Sequence, residues 1–170
     1  MAEGRAQLVL SSPRPTIDLD AVATHVRELV GERAKVSTLH DMLVVDVPGE
    51  HLVDVARMLR DDPITRCDLY SINAGVDTGE GELRSVTFVR GTATRVFAML
   101  RTTCTEMDPH VPSLASIWTG ADWPERETYD MFGIVFDGHP DLRRVFLEES
   151  FPGHPLRKSF QPPRSDARGG

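Results

Sequence analysis

Apolar residues early in the chain recur at helical spacing. Leu19, Val22, Val26, Leu29 and Val30 share one face, Asp18 precedes them as an N-cap, and Gly31 follows as a stop. A helix is therefore predicted from Asp18 to about Val30. Lys35–Leu39 and Met42–Val47 read as short strands, the second almost continuously apolar, until Pro48-Gly49 breaks the chain. The helical period returns from about Glu50 to Arg60, with Leu52, Val55, Ala56 and Leu59 as the buried stripe and Pro63 closing it. Cys67–Ala74 reads as a strand, Asp77-Thr78-Gly79-Glu80-Gly81 as a turn, and Glu82–Arg90 as the returning arm of a hairpin. Ala93–Arg101 suits a helix or a buried strand, and the two β-type segments before it favour a strand. The sum is an α+β domain: a small antiparallel or mixed sheet with helices packed on one side.

The texture changes at Asp108. Pro109, Pro112, Pro124, Pro140, Pro152 and Pro155 punctuate the remainder of the chain. Ser113 is placed to cap a short helix through Trp118, a longer helix is expected from Asp122 or Trp123 to about Phe132, and Ile134–Phe136 reads as a short extended piece. Little regular structure is expected after Gly138. The expected organisation is a flexible lead-in (1–16), an α+β domain (17–137), an extended Pro-rich partner-binding segment (138–160) and a disordered tail (161–170).

Composition narrows the chemistry. A formal net charge of −7 argues against a general nucleic-acid role, which needs a clustered cationic surface. Two cysteines, Cys67 and Cys104, cannot supply the four thiolates of an ordinary iron–sulfur cluster, and they form no C-x-x-C pair. No apolar run approaches the roughly 18–20 residues of a membrane span, and no signal-peptide core is read near the N-terminus. There is no Walker loop, no G-x-G-x-x-G between strand and helix, no H-E-x-x-H and no G-x-S-x-G elbow. His139 and His154 each sit between Gly and Pro, which suits a turn residue whose ring anchors a local backbone group better than a metal ligand. Glu125 and Glu127 point to different faces of their helix, Arg126 and Asp130 are spaced to pair at i,i+4, and a solvated helical surface is the plain reading. Arg143-Arg144 and Arg157-Lys158 make the Pro-rich segment locally basic, consistent with an acidic partner surface or with a charged loop in water.

The run from Glu125 to Arg144, ERETYDMFGIVFDGHPDLRR, closely resembles the signature of the respiratory complex I 30 kDa subunit family, in bacteria the C-type subunit of NADH-quinone oxidoreductase. Phe151–Lys158, FPGHPLRK, resembles the family's next block, and weaker likeness extends upstream through Trp118, Trp123 and the helix at Glu50–Arg60. The resemblance implies a subunit with no catalytic, cofactor-binding or metal-binding residues of its own. It implies a place in the peripheral arm on the cytoplasmic side of the cell membrane, reached only through the complex. The partners implied are the D-type (49 kDa) large subunit and neighbouring peripheral-arm subunits, with no nucleic acid. NADH, FMN, iron–sulfur clusters and quinone would belong to the complex as an oxidoreductase and translocase. Glu125, Arg126, Glu127 and Asp130 would fix the turn region through ion pairs and backbone bonds. Phe132, Gly133, His139, Pro140, Asp141, His154 and Pro155 would complete the motif, and Arg143, Arg144, Arg157 and Lys158 would contact the partner. The chain departs from the family pattern at Ile72, where Asp is usual, in its compact turn at Thr78–Gly81, and in stopping soon after Phe160. An equivalent subunit of a membrane-bound group 4 [NiFe] hydrogenase or formate hydrogenlyase is the neighbouring alternative. A stand-alone metal-dependent enzyme is the distant one.

Overall fold

In a computed structural model, which describes residues 17–162, Asp18 accepts a hydrogen bond from the Ala21 N–H (3.0 Å) and opens helix α1, Leu19–Val30. The expected flexible lead-in (1–16), and the expected disordered tail beyond Pro162, lie outside the described residues. Gly31, at φ 57°, closes α1 in a conformation that a side chain would resist. Strands β1 (Lys35–Leu39) and β2 (Met42–Asp46) follow, then α2 (Gly49–Asp61), which buries the expected Leu52, Val55, Ala56 and Leu59. The hairpin of β3 (Leu69–Asp77) and β4 (Glu82–Arg90) pairs antiparallel around the expected turn. Its first arm starts two residues later than the reading from Cys67, because Cys67 is held under α2, its N–H donating to the Leu59 carbonyl.

The ambiguous third segment is a strand, β5 (Phe97–Thr105), displaced toward the C-terminus of its predicted range. A turn takes its first residues: the Gly91 N–H donates to Val96 O, and the Thr94 hydroxyl donates to Thr65 O at 2.6 Å. The sheet is mixed, in the order β1-β2-β5-β4-β3, with β2 and β5 parallel and the other pairs antiparallel. Side chains alternate across a strand. Leu43, Val45, Leu83, Val89, Ala98 and Leu100 thus point to one face, where α1, α2 and α3 (Asp122–Phe132) build the main core. The other face carries a separate apolar cluster of Val44, Val86 and Met99, with Met42 and Phe88 at its margin.

Two expectations change downstream. The helix expected from Ser113 to Trp118 is a single turn, in which Ile117 and Trp118 donate to the Leu114 carbonyl. The Ser113 hydroxyl accepts from Ala115 as a cap would, but the Leu114 N–H is taken by a side chain of α3, and the Trp118 indole turns away to donate to Cys67 O. A short parallel ladder also joins β6 (His110–Pro112) to β7 (Val135–Asp137), seating the end of α3 beside the sheet. Residues 138–162 contain turns but no helix or strand, and run back over α3 as a strap.

Candidate functional site

The residues singled out from Glu125 to Lys158 converge on α3 and the strap. Their chemistry differs from a solvated acidic helix: Glu125, Arg126, Thr128 and Asp130 are buried. Glu125 reaches back to the segment before the helix, accepting from the Ser113 hydroxyl (2.6 Å) and the Leu114 N–H (2.7 Å). Burial pushes its carboxyl up to about 7, assisted by Asp122 and opposed by those two bonds. Thr128 donates to Asn73 (2.6 Å), whose amide donates to Ser85 (2.7 Å) and Thr87 (2.9 Å), so one polar network ties α3 to β3 and β4.

Asp130 is fully buried and organises the strap. One carboxylate oxygen accepts the N–H groups of Val145, Phe146 and Leu147 at 3.1, 2.9 and 3.0 Å; the other accepts from Arg144 at 2.7 Å. Burial would raise this carboxyl, but the bonds from Phe146, Leu147, Arg144 and Val145 outweigh it and hold it below the ordinary carboxylate range. The Arg144 guanidinium then donates to Phe151 O (3.3 Å) and Gly153 O (3.0 Å). The pairing of Arg126 with Asp130 allowed by their spacing is not made. Arg126 instead lies 5.2 Å over the Trp123 ring, 3.9 Å from Asp122, and donates to Arg143 O at 3.4 Å.

The histidines anchor backbone. Asp141 N–H donates to His139 Nδ1 (3.0 Å), which leaves Nε2–H to donate to Asp122 O (3.1 Å); His154 Nδ1 bonds Asp130 O (3.0 Å). Burial and the neighbouring Arg157 and Arg144 cations lower the pKa of His154. Arg157 covers the C-terminal carbonyls of α3, donating to Phe132 O (2.6 Å) and Gly133 O (3.4 Å), where a cation also meets the negative end of the helix. Gly133, at φ 70°, gives the helix its left-handed exit, and a Cβ there would collide with His154 and Arg157. Lys158 ties the strap to the β3–β4 turn: its N–H donates to Asp77 (2.7 Å) and its ammonium to Thr78 O (2.8 Å).

Of the four cations expected to face a partner, Arg144, Arg157 and Lys158 thus make bonds within the chain, while Arg143 is exposed and, among the described residues, pairs only with exposed Asp141 at 3.0 Å. Glu127 and Pro140 are exposed, and Pro155 sits half-buried in a turn. Phe132 packs its ring on the backbone of Gly75 in β3, where a Cβ would drive into it. The outward side of α3 and the strap carries Trp123 (63% exposed), Phe146 (64%) and Leu156 (54%). Sequence reasoning missed these three as contacts; a signal lay in Trp123 and Phe146 being large aromatics at positions outside the apolar stripe. It also missed Asp77 and Asn73, whose partners lie far along the chain.

Among the described residues no three His, Cys, Asp or Glu side chains are placed to hold a metal ion. Burial raises Cys67 to about 12 and Cys104 to about 11, so both stay as thiols at neutral pH. No described helix is long and apolar enough to cross a membrane.

Residues 45–166 match the family model described as respiratory-chain NADH dehydrogenase, 30 Kd subunit. The C-type subunit of the NADH-quinone oxidoreductase of Nocardia farcinica is 42% identical over 129 residues, covering 74% of this chain and 51% of the relative. The corresponding subunit of Mycobacteroides abscessus is 37% identical over 166 residues (90% and 73%), and that of Roseiflexus castenholzii is 47% identical over 118 residues (68% of each). The chain therefore spans between about half and three quarters of the length of these relatives. Among solved structures, a chain of the membrane-bound sulfane sulfur reductase, an archaeal respiratory membrane complex, aligns with a TM-score of 0.72 at 21% identity, covering 85% of this chain and 86% of the other. A trypsin-resistant fragment of Nqo5 aligns at 0.55 and 24% identity, covering 74% of this chain and all of the fragment. Both show a shared fold.

Proposed function

The chain belongs to the 30 kDa subunit family of respiratory-chain NADH dehydrogenase, the family of the C-type subunits of NADH-quinone oxidoreductase, and from that premise we propose that it is a cofactor-free assembly subunit. Its place is the peripheral arm of a proton-translocating NADH-quinone oxidoreductase, on the cytoplasmic side of the membrane. There it packs on the D-type (49 kDa) large subunit and supports electron transfer from NADH to quinone without binding either.

The observation that carries this reading is the Asp130 clamp. A fully buried carboxylate gathers three backbone N–H groups and a guanidinium to hold an otherwise structureless strap in one shape. Such a group rigidifies a surface, and the surface it rigidifies displays Trp123, Arg143 and Phe146 outward. Exposed aromatic and arginine side chains on a pre-ordered backbone are what interface centres are made of. The buried carboxylates here, Glu125 and Asp130, are both committed to hydrogen bonds within the chain, which supports assembly over catalysis. The experiment is recovery of the complex through a tagged large subunit. Trp123→Ala with Phe146→Ala is expected to lower co-purification of this chain at least tenfold, at about 2 kcal/mol or more for each aromatic anchor. Its own thermal midpoint should stay unchanged. Undiminished recovery would sink the assignment of this face. Arg143→Glu is the matching charge test, whereas Arg144→Glu would set a carboxylate against Asp130 and disorder the strap itself.

A further inference from the structure

All three helices pack on one side of the sheet, and the other side is covered by no helix or strand among the described residues. That bare side is apolar. The register aligns Ser37, Val44, Met99, Phe88 and Ile72 in one row across all five strands. The next row holds Leu39, Met42, Phe97 and Leu69, with Arg90 between the last two. On the two edge strands Leu39, Leu69 and Ile72 are 47%, 46% and 51% exposed, while Val44 and Met99 in the middle are covered by their neighbours in the band, and the Phe88 and Phe97 rings stack 5.7 Å apart. In β2, Leu43 and Val45 point to the core while Met42 and Val44 point to this side. A strand apolar on both faces is the pattern of a strand covered on both faces.

We propose that this bare sheet face is a second docking surface, separate from the strap, and that it receives an amphipathic helix with an acidic rim from another subunit of the complex. The inference rests on the chain being a subunit of such a complex. The band is two rows deep, about 7 Å along the strands, and five strands wide, about 19 Å. A helix is about 10 Å across, and roughly 13 residues of it span 19 Å, so one helix laid across the strands fills the band. A second sheet would need apolar rows further along the strands. There the next row runs instead through Lys35, Asp46 and Arg101 before reaching Val86 and Ala74.

Charge selects the rim. Asp46 is held by Arg101 at 2.6 and 2.7 Å, and Glu82 by Arg84 at 3.5 Å. Lys35 and Arg90 on the same face are exposed and make no ion pair among the described residues. The face is thus edged by two cations on a chain whose net charge is −7. A second copy of the chain would set those cations against each other. The chain's own outlying segments fit poorly too: residues 163–170 hold no large apolar side chain, and Leu8-Val9-Leu10 is flanked by Arg5 and Arg14. Asp or Glu beside an apolar helical stripe satisfies both the band and its edges.

The test places a photo-crosslinking side chain at Leu39 or Ser37 of the full chain, on the edge strand far from the strap, assembles and purifies the complex, and identifies the crosslinked peptide. Both positions are exposed, so the substituted chain keeps its core. The expected product joins this chain to one other subunit, at a helix whose apolar stripe is bordered by Asp or Glu. Lys35→Glu with Arg90→Glu should lower the yield about tenfold, while recovery through the large subunit is retained. Crosslinks to a second copy, to residues 1–16 or 163–170 of the same chain, or to a segment without acidic borders would overturn the proposal. So would a complex that forms normally but yields no crosslink, which leaves the assembly reading standing. A chain that joins no complex at all would fail that reading first.

Discussion

Asp130, on α3, holds three backbone N–H groups of the strap with one carboxylate oxygen, and its removal should show it. Asp130→Ala strands the Arg144 guanidinium and three N–H groups, at a cost of about 3–5 kcal/mol. Urea unfolding of the purified chain measures this; a loss below about 1 kcal/mol would mean that water replaces the carboxylate without penalty. Glu125 makes an opposite prediction with pH. Its pKa is raised, from the ordinary 4.5 to about 7, so its contribution to stability is fully present below 4.5 and is lost as pH rises through about 7. The size of the shift corresponds to about 3 kcal/mol. Asp130, held below its ordinary range, contributes stability above that range and loses it as pH falls. Glu125→Gln should therefore flatten the fall in stability between about pH 4.5 and 7 and leave the acid limb unchanged. An unaltered slope in denaturation measured across that window would show that Glu125 ionises freely in the fold. Neither role was legible from spacing, which offered Asp130 to Arg126: its real partners lie 14 to 17 residues on, beyond any helical period.

At the scale of elements, what could be read locally was read well. The stripe of α2 and the capped start of α1 are set by neighbours within a turn or two. The hairpin of β3 and β4 is fixed by its Gly-rich turn. What escaped was fixed at a distance: the parallel β2–β5 pair, the β6–β7 ladder, and Lys158 donating to Asp77 across 81 positions. The Ser113 turn stops after one turn because Trp118 is extended (φ −129°, ψ 117°), its indole drawn to Cys67 O, 51 positions back in the chain. Gly75 is where the Phe132 ring of α3 lies on β3, and Gly75→Ala should push Phe132 off the strand at a cost of about 1–3 kcal/mol. A shift in thermal midpoint with near-native far-UV dichroism is the expected result, and an unchanged midpoint would show that the ring relocates freely. Arg157→Ala should uncover the end of α3 and speed amide exchange in residues 153–160, with the sheet unaffected.

For the whole molecule, the motif that carried the family resemblance proved to be mainly internal architecture. Arg144, Arg157, Lys158, His139 and His154 bind the chain's own backbone or carboxylates, while Trp123, Arg143, Phe146 and Leu156 face outward. On the proposed reading, a signature of this kind specifies the shape of a docking surface more than its contacts. The locally basic pairs therefore pointed to the strap without pointing to the side chains it presents. The central claim is that this face is covered in the assembled complex. Hydroxyl-radical footprinting of the free chain and of the purified complex tests it most directly. Trp123 and Phe146 should be oxidised readily in the free chain and at least several-fold more slowly in the complex, while Met107, 94% exposed and distant from the motif in sequence, reacts alike in both. Equal oxidation of Trp123 and Phe146 in the two states would contradict the account.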